Sequence, residues 1–154
     1  MYKKDSPKKH QVQPDRKFSS LIIAQLINKV MRDGEKRKAM KIVYKAIQIA
    51  EKEIALEPLI ILEKVLENIK PNMELKSWKK GGASYRIPTK VGEQRSLSLA
   101  LRWMVESARK KKSTKPIFQR LSEEIIEAYN KTGGAFQKKE TVQKEVMSNM
   151  AFAR

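Results

Sequence analysis

The stretch PNMELKSWKKGGASYRIPTKV, residues 71–91, is where the hydropathy of this chain alternates with a period of two. Met73, Leu75 and Ser77 alternate with Glu74, Lys76 and Trp78. Beyond Lys79-Lys80-Gly81-Gly82, the residues Tyr85, Ile87, Thr89 and Val91 alternate with Arg86, Pro88 and Lys90. Two period-two runs around a Gly-Gly turn read as a β-hairpin. The alternation predicts an inner face of Met73, Leu75, Tyr85 and Ile87, and an outer face of Lys76, Trp78, Arg86 and Lys90, with Pro88 at an unpaired edge position. A lone hairpin is marginal in water, so it must lean on something else.

The flanks supply that support, because their apolar residues recur at helical spacing. Upstream, Ser19 or Ser20 can cap a helix carrying Ile23, Leu26, Ile27 and Val30, stopped by Asp33-Gly34. A second helix has Ala39, Ile42, Val43, Ala46 and Ala50 on one face. A third opens at Glu57-Pro58 and carries Leu62, Val65, Leu66 and Ile69, ending at Pro71. Downstream, a fourth helix from about Arg95 to Lys112 buries Leu97, Leu101, Met104, Val105 and Ala108. A fifth starts at Thr114 and Pro116, turns Phe118, Leu121, Ile125 and Tyr129 inward, and ends at Gly133-Gly134. A sixth covers roughly residues 139–150. The expected fold is mainly α: a six-helix bundle with a β-hairpin inserted between helices 3 and 4. Residues 1–18, polar with two prolines, form a basic arm. Residues 19–154 form one helical domain with the hairpin at about 72–91.

Charge narrows the function. The 154 residues carry 34 Lys and Arg against 17 Asp and Glu, a formal +17. The excess sits in residues 1–41 (+8) and 70–112 (+9), separated by residues 42–69 (−2). So basic a domain favours a polyanionic partner, nucleic acid first and an anionic membrane surface second. There is no cysteine, and the one histidine, His10, lies among lysines. Thiol chemistry, thiolate zinc sites, histidine cages and Ser/His systems are therefore excluded. No P-loop, dinucleotide fingerprint, zinc helix motif or serine elbow is present. No cofactor or metal is expected, and no enzyme activity. Glu123-Glu124 read as solvent-facing. No apolar run approaches the ~18 residues of a membrane span, and residues 1–17 hold no hydrophobic segment, so neither a span nor a secretory signal is expected.

Three basic features are candidate nucleic-acid contacts. Arg95, Arg102 and Arg109, seven apart, form one line on the fourth helix and run into Lys110, Lys111 and Lys112. Seven helical residues advance about 10.5 Å, so the row suits a phosphate-binding ridge, or else a solvated face. The tip Trp78-Lys79-Lys80-Gly81-Gly82, with Tyr85, joins charge to aromatic faces, as single-strand binders do; the alternative is an ordinary charged turn. The arm, with Lys8, Lys9, Arg16 and Lys17, is either a nucleic-acid tail or plain solvated chain.

These segments resemble a known family, bacterial-type small-subunit ribosomal protein seven. Gly81-Gly82, Tyr85 and Pro88 stand at that family's GGxxYxxP spacing, and LALRWMVESARKK (Leu99–Lys111) is similar to its RW-containing helix. PDRKF (Pro14–Phe18), DGEKRKAMKIVYKA (Asp33–Ala46) and KKETVQKEVMSNMAFA (Lys138–Ala153) match in order along almost the whole chain. Glu35 departs from the family's usual lysine, and Gln143 from a usual histidine. The resemblance implies an rRNA-binding protein that helps nucleate the 3′ (head) domain of the small subunit, near the exit-site tRNA and the mRNA exit path. By position it implies rRNA contacts at Lys8, Lys9, Arg16, Lys17, Lys36, Arg37, Lys38, Lys76, Arg86, Arg95, Arg102, Arg109, Lys110, Lys111, Lys138 and Lys139. Trp78, Lys79, Lys80, Gly81, Gly82 and Tyr85 map near tRNA and mRNA. Its implied partners are small-subunit rRNA, tRNA, mRNA and neighbouring small-subunit proteins, with no membrane and no homo-oligomer. The implied location is the small ribosomal subunit, in a bacterial cytoplasm or an organelle. A DNA architectural protein and a peripheral membrane protein are the alternatives, but the tip lacks an apolar wedge and the fourth helix lacks a bulky aromatic face.

Overall fold

The computed structural model describes residues 11–152. Six helices appear there: α1 (Leu21–Val30), α2 (Lys36–Ile54), α3 (Pro58–Ile69), α4 (Glu93–Lys110), α5 (Ile117–Tyr129) and α6 (Gly133–Ser148). Strands β1 (Met73–Lys80) and β2 (Ala83–Lys90) lie between α3 and α4, and a short 3₁₀ turn, Met150–Phe152, follows α6. Local chemistry explains two of the helix starts. The Ser20 hydroxyl accepts the Ile23 N–H at 3.4 Å and caps α1. Pro58 starts α3, where its missing N–H has no intrahelical acceptor to lose.

The five helices α1–α5 share one core of aliphatic side chains. Leu26, Val43, Val65, Leu101, Met104 and Ile125 are completely or almost completely buried. Burial follows the expected stripes, shifted slightly: Ile42 and Leu97 are only half-buried, while Ile47, Ala100 and Trp103 are buried. Helix α6 adds Ala135 and Val146.

The hairpin differs from expectation in which residues share a face. Its register runs from Met73 opposite Lys90 to Lys80 opposite Ala83. Directly opposed residues share a face, and a two-residue loop makes every pair one odd and one even position. Met73 and Leu75 therefore lie with Pro88 and Arg86, whereas Lys76 lies with Ile87, and Trp78 with Tyr85. The expected faces assumed equal parity across the turn. Gly81 and Gly82 both have positive φ, 58° and 82°. That is the backbone required by the tight turn whose twist matches the strands.

The second correction is at Gly133-Gly134. The pair does not end α5; it opens α6, six residues earlier than expected. Helix α5 stops at Tyr129 and is followed by Lys131 in left-handed backbone, φ 58°. A Cβ on Gly133 would lie 2.7 Å from Glu127 Oε2, and one on Gly134 would lie 2.8 Å from Ser107 Oγ. The glycines are there for close approach of α6 to α4 and α5.

Candidate nucleic-acid interface

The expected N-terminal contacts hang on one carboxylate. Asp15 is buried and accepts the N–H groups of Lys17 (2.9 Å) and Phe18 (3.0 Å), together with the Tyr44 hydroxyl from α2. Burial pushes this carboxyl up, but the Tyr44 hydroxyl and the three backbone donors outweigh it and hold it below the usual carboxylate range. Burial and the facing Asp15 push the Tyr44 phenol up to about 12. This knot fixes the root of the arm against α2, leaving Arg16 and Lys17 exposed. Lys17 Nζ sits 5.2 and 5.1 Å from the ring centres of Phe18 and Tyr44. Lys8 and Lys9 lie outside the described residues.

The α1–α2 turn carries the next group. Asp33 and Gly34 are both left-handed, and α2 begins at Lys36 with no side-chain cap. Lys36, Arg37 and Lys38 are exposed, with Lys38 paired to Glu35 at 2.7 Å. Below this turn is a groove of about 340 Å³ whose charged lining is Arg32, Lys38, Arg109, Arg120 and Glu35. Burial, and secondarily Arg32, lower the Arg109 pKa from its ordinary value. Arg109 donates to the Val30 carbonyl at 2.9 Å, and Arg120 donates to the Arg109 and Lys111 carbonyls at 3.3 and 3.2 Å. Both guanidiniums thus tie helix ends together while keeping positive charge at the groove wall. Arg120 was not among the sequence candidates, because its segment is charge-balanced and offers no periodic signal.

The arginine row is only partly a row of free forks. Arg95 is held by Glu74 through contacts of 2.7–2.9 Å from its Nε and Nη2, which raise the Arg95 pKa and lower that of Glu74. Arg109 is tied to Val30. Arg102 is exposed and, among the described residues, pairs with no carboxylate. Lys110 is exposed, but Lys111 turns inward and pairs with Glu127 (2.8 Å) and Glu124 (3.3 Å). This overturns the solvent-facing reading of Glu124, which is fully buried and accepts the Ala135 N–H at 2.7 Å. Burial pushes the Glu124 carboxyl up, against the pull of that N–H and of Lys111.

At the hairpin, Lys76, Lys79, Lys80, Gly81 and Gly82 are exposed. Trp78 is half-buried rather than projecting. Its ring centre lies 6.5 Å from that of Tyr85, and Lys80 Nζ sits 5.5 Å above it. Tyr85 also meets Phe152 of the 3₁₀ turn at 5.9 Å, and Arg86 Nη1 approaches Glu145 of α6 at 3.9 Å. Lys138 is exposed, whereas Lys139 is half-buried and donates to the Asn68 carbonyl at 2.8 Å, clipping α6 to α3. Burial, with Lys131 nearby, lowers the Lys139 pKa.

The sequence comparisons place this basic, helical chain in a family. The family model "Ribosomal protein S7p/S5e" matches residues 2–150. The chain belongs to this family. It is 46% identical over 145 residues to the "Small ribosomal subunit protein uS7" of Thermotoga maritima, covering 94% of this chain and 93% of that one. It is 42% identical over 153 residues to the protein of that name from Caldicellulosiruptor saccharolyticus, covering 99% and 98%. To that of Dictyoglomus thermophilum it is 43% identical over 143 residues, covering 93% and 91%. Family membership makes the chain a ribosomal protein, a structural class and not a class of enzymes. The small-subunit assignment implied by the sequence agrees with the name each of these relatives carries. Among the described residues, no helix is long and apolar enough to cross a membrane.

Proposed function

We propose that the chain binds small-subunit rRNA and nucleates assembly of the 3′ (head) domain, with its hairpin tip beside the exit-site tRNA and the mRNA exit path. The observation that carries the rRNA reading is the distribution of unpaired cations. Arg16, Lys36, Arg37, Arg102, Lys110 and Lys138 are exposed and, among the described residues, in no ion pair. Lys76 is exposed, with Glu74 acting on it only from beyond ion-pair distance. Arg95, Lys111 and Lys139 act mainly inside the protein, and contribute to RNA binding by holding the hairpin and α6 in place. The tRNA and mRNA reading rests on the resemblance and on the exposed Lys79-Lys80-Gly81-Gly82 tip. The protein acts as a monomer, since two copies at +17 repel each other.

Binding to a structured rRNA fragment should lose roughly 10³-fold or more between 50 and 200 mM salt if about six to ten phosphates are engaged. A flat salt response, or equal affinity for duplex DNA of the same length, overturns the reading. Arg102→Ala should weaken binding with an unchanged melting temperature, and Arg102→Lys should recover only part of the loss, because lysine lacks the fork.

A further inference from the structure

Where α2 ends and α3 begins, the surface changes character. Leu56, Leu59 and Ile60 are 39%, 36% and 47% exposed, three large aliphatic side chains within five residues. Ile60 leads along α3 to Glu63, Lys64 and Glu67, which lie three, four and seven residues on. That side is opposite the buried Ile61, Leu62, Val65, Leu66 and Ile69. Glu51, Glu53, Glu57, Glu63 and Glu67 are all exposed, and among the described residues none is in an ion pair. The cations of this stretch are Lys52 and Lys64, and Lys64 Nζ leans 5.4 Å from the Tyr129 ring centre. Residues 51–67 therefore carry a net −3 on a chain of +17.

We propose that this patch is a protein-docking surface whose occupant is a lysine- and arginine-rich segment of another polypeptide, anchored by one or two aliphatic side chains. The charge argues for it. A field of unpaired glutamates repels phosphate, so RNA is disfavoured here, while exposed leucine and isoleucine gain only when covered by apolar groups. A cationic segment satisfies both conditions: its charges meet the glutamate rim and its aliphatic groups cover Leu56, Leu59 and Ile60. Polypeptides lodged among rRNA phosphates carry such compensating cations, so membership of a ribosomal family supplies partners of this chemistry. A second copy of this chain is the weaker occupant, because two strongly basic molecules must first be brought together.

The test places a photo-crosslinking amino acid at Leu59 of the full chain. The chain is irradiated both in small subunits reconstituted from rRNA and total small-subunit proteins, and with the same proteins without rRNA. The expected result is a dominant crosslink to one basic subunit protein. Charge reversal by Glu57→Lys with Glu63→Lys should lower its yield about tenfold or more, the size of loss seen when interface anchors are removed. Glu57→Gln with Glu63→Gln, which adds no new charge to the helix, should give an intermediate loss. A crosslink to rRNA, to a second copy of the chain, to no product, or one indifferent to these substitutions overturns the proposal. The rRNA-free arm reads this surface even if the chain fails to enter particles, an outcome that bears on the rRNA reading alone.

Discussion

Two Gly-Gly pairs lie in this chain, and they serve opposite physical ends. At Gly81-Gly82 a Cβ on either residue would meet nothing within 4 Å; the pair is needed for its positive φ angles. At Gly133-Gly134 the space itself is taken, by Glu127, Glu124 and Ser107. The first pair frees a turn to project beyond the globule; the second lets α6 press its first turn against a buried carboxylate. The same dipeptide thus marks an open bend and a crowded one. The difference lies in what the fold packs against each pair, not in the glycines.

The comparison is most sharply tested at Gly133. Its φ of 86° strains any side chain, and a Cβ would also lie 2.9 Å from that of Glu127. Gly133→Ala combines about 1–2 kcal/mol for left-handed backbone with about 1–3 kcal/mol for overpacking. Thermal or urea unfolding should therefore show a loss of about 2–5 kcal/mol. Gly81→Ala bears the backbone cost alone, about 1–2 kcal/mol, and should leave α6 unaffected. Equal losses at the two sites would erase the distinction.

The carboxylate under the second pair titrates with a definite sign. Burial raises the folded pKa of Glu124 above its ordinary 4.5, so the folded state holds this proton to higher pH than the unfolded chain. Relative to Glu124→Gln, the native protein should lose stability as pH rises from about 4.5, levelling off once the folded value is passed. Asp15 behaves oppositely. Its folded pKa is depressed, so the stability it contributes is present above its ordinary 3.8 and is lost as pH falls through the folded value. Unfolding midpoints for the wild type, Glu124→Gln and Asp15→Asn across pH 3–8 separate the two.

The smallest effect on the fold is expected at the first pair. Replacing Lys79–Ser84 by a tight two-residue turn removes two pairs from the end of the ladder and keeps Trp78 opposite Tyr85, so it should change stability by no more than about 1 kcal/mol, the loss of the Lys80–Trp78 contact included. On the proposed function it should also leave rRNA binding and subunit assembly near normal while altering exit-site tRNA retention or reading-frame accuracy, read by gradient profile and a frameshift assay. Failure to assemble would make the tip part of the primary rRNA site.

Helix number, helix order and the hairpin insertion were legible because each rests on periodicity, which a single segment displays on its own. Face assignment in the hairpin was not, since parity across a turn depends on loop length. Residues 79–83 alone left open whether two or more residues form the loop. Glu124 was illegible for a related reason. It stands next to Glu123 in a charge-balanced helix, and its partners Lys111 and Ala135 lie 13 and 11 positions away. The arginine row is legible as a spacing, but the ties that Glu74 makes to Arg95 and the Val30 carbonyl to Arg109 are not, because those partners come from other elements.

The hairpin is a lever. Its strands of eight residues extend about 26 Å at ~3.3 Å per residue. Its hold on the body runs along its length, from the Glu74–Arg95 tie to α4 near the base, through the Arg86–Glu145 approach to α6, to the Tyr85–Phe152 contact with the 3₁₀ turn. A tilt of roughly five degrees about its base displaces the tip by about 2 Å at that length, enough to make or break a hydrogen bond from the tip. Side chains near the end of the chain, Glu145 and Phe152, thereby set the aim of Lys79 and Lys80, residues some seventy positions earlier.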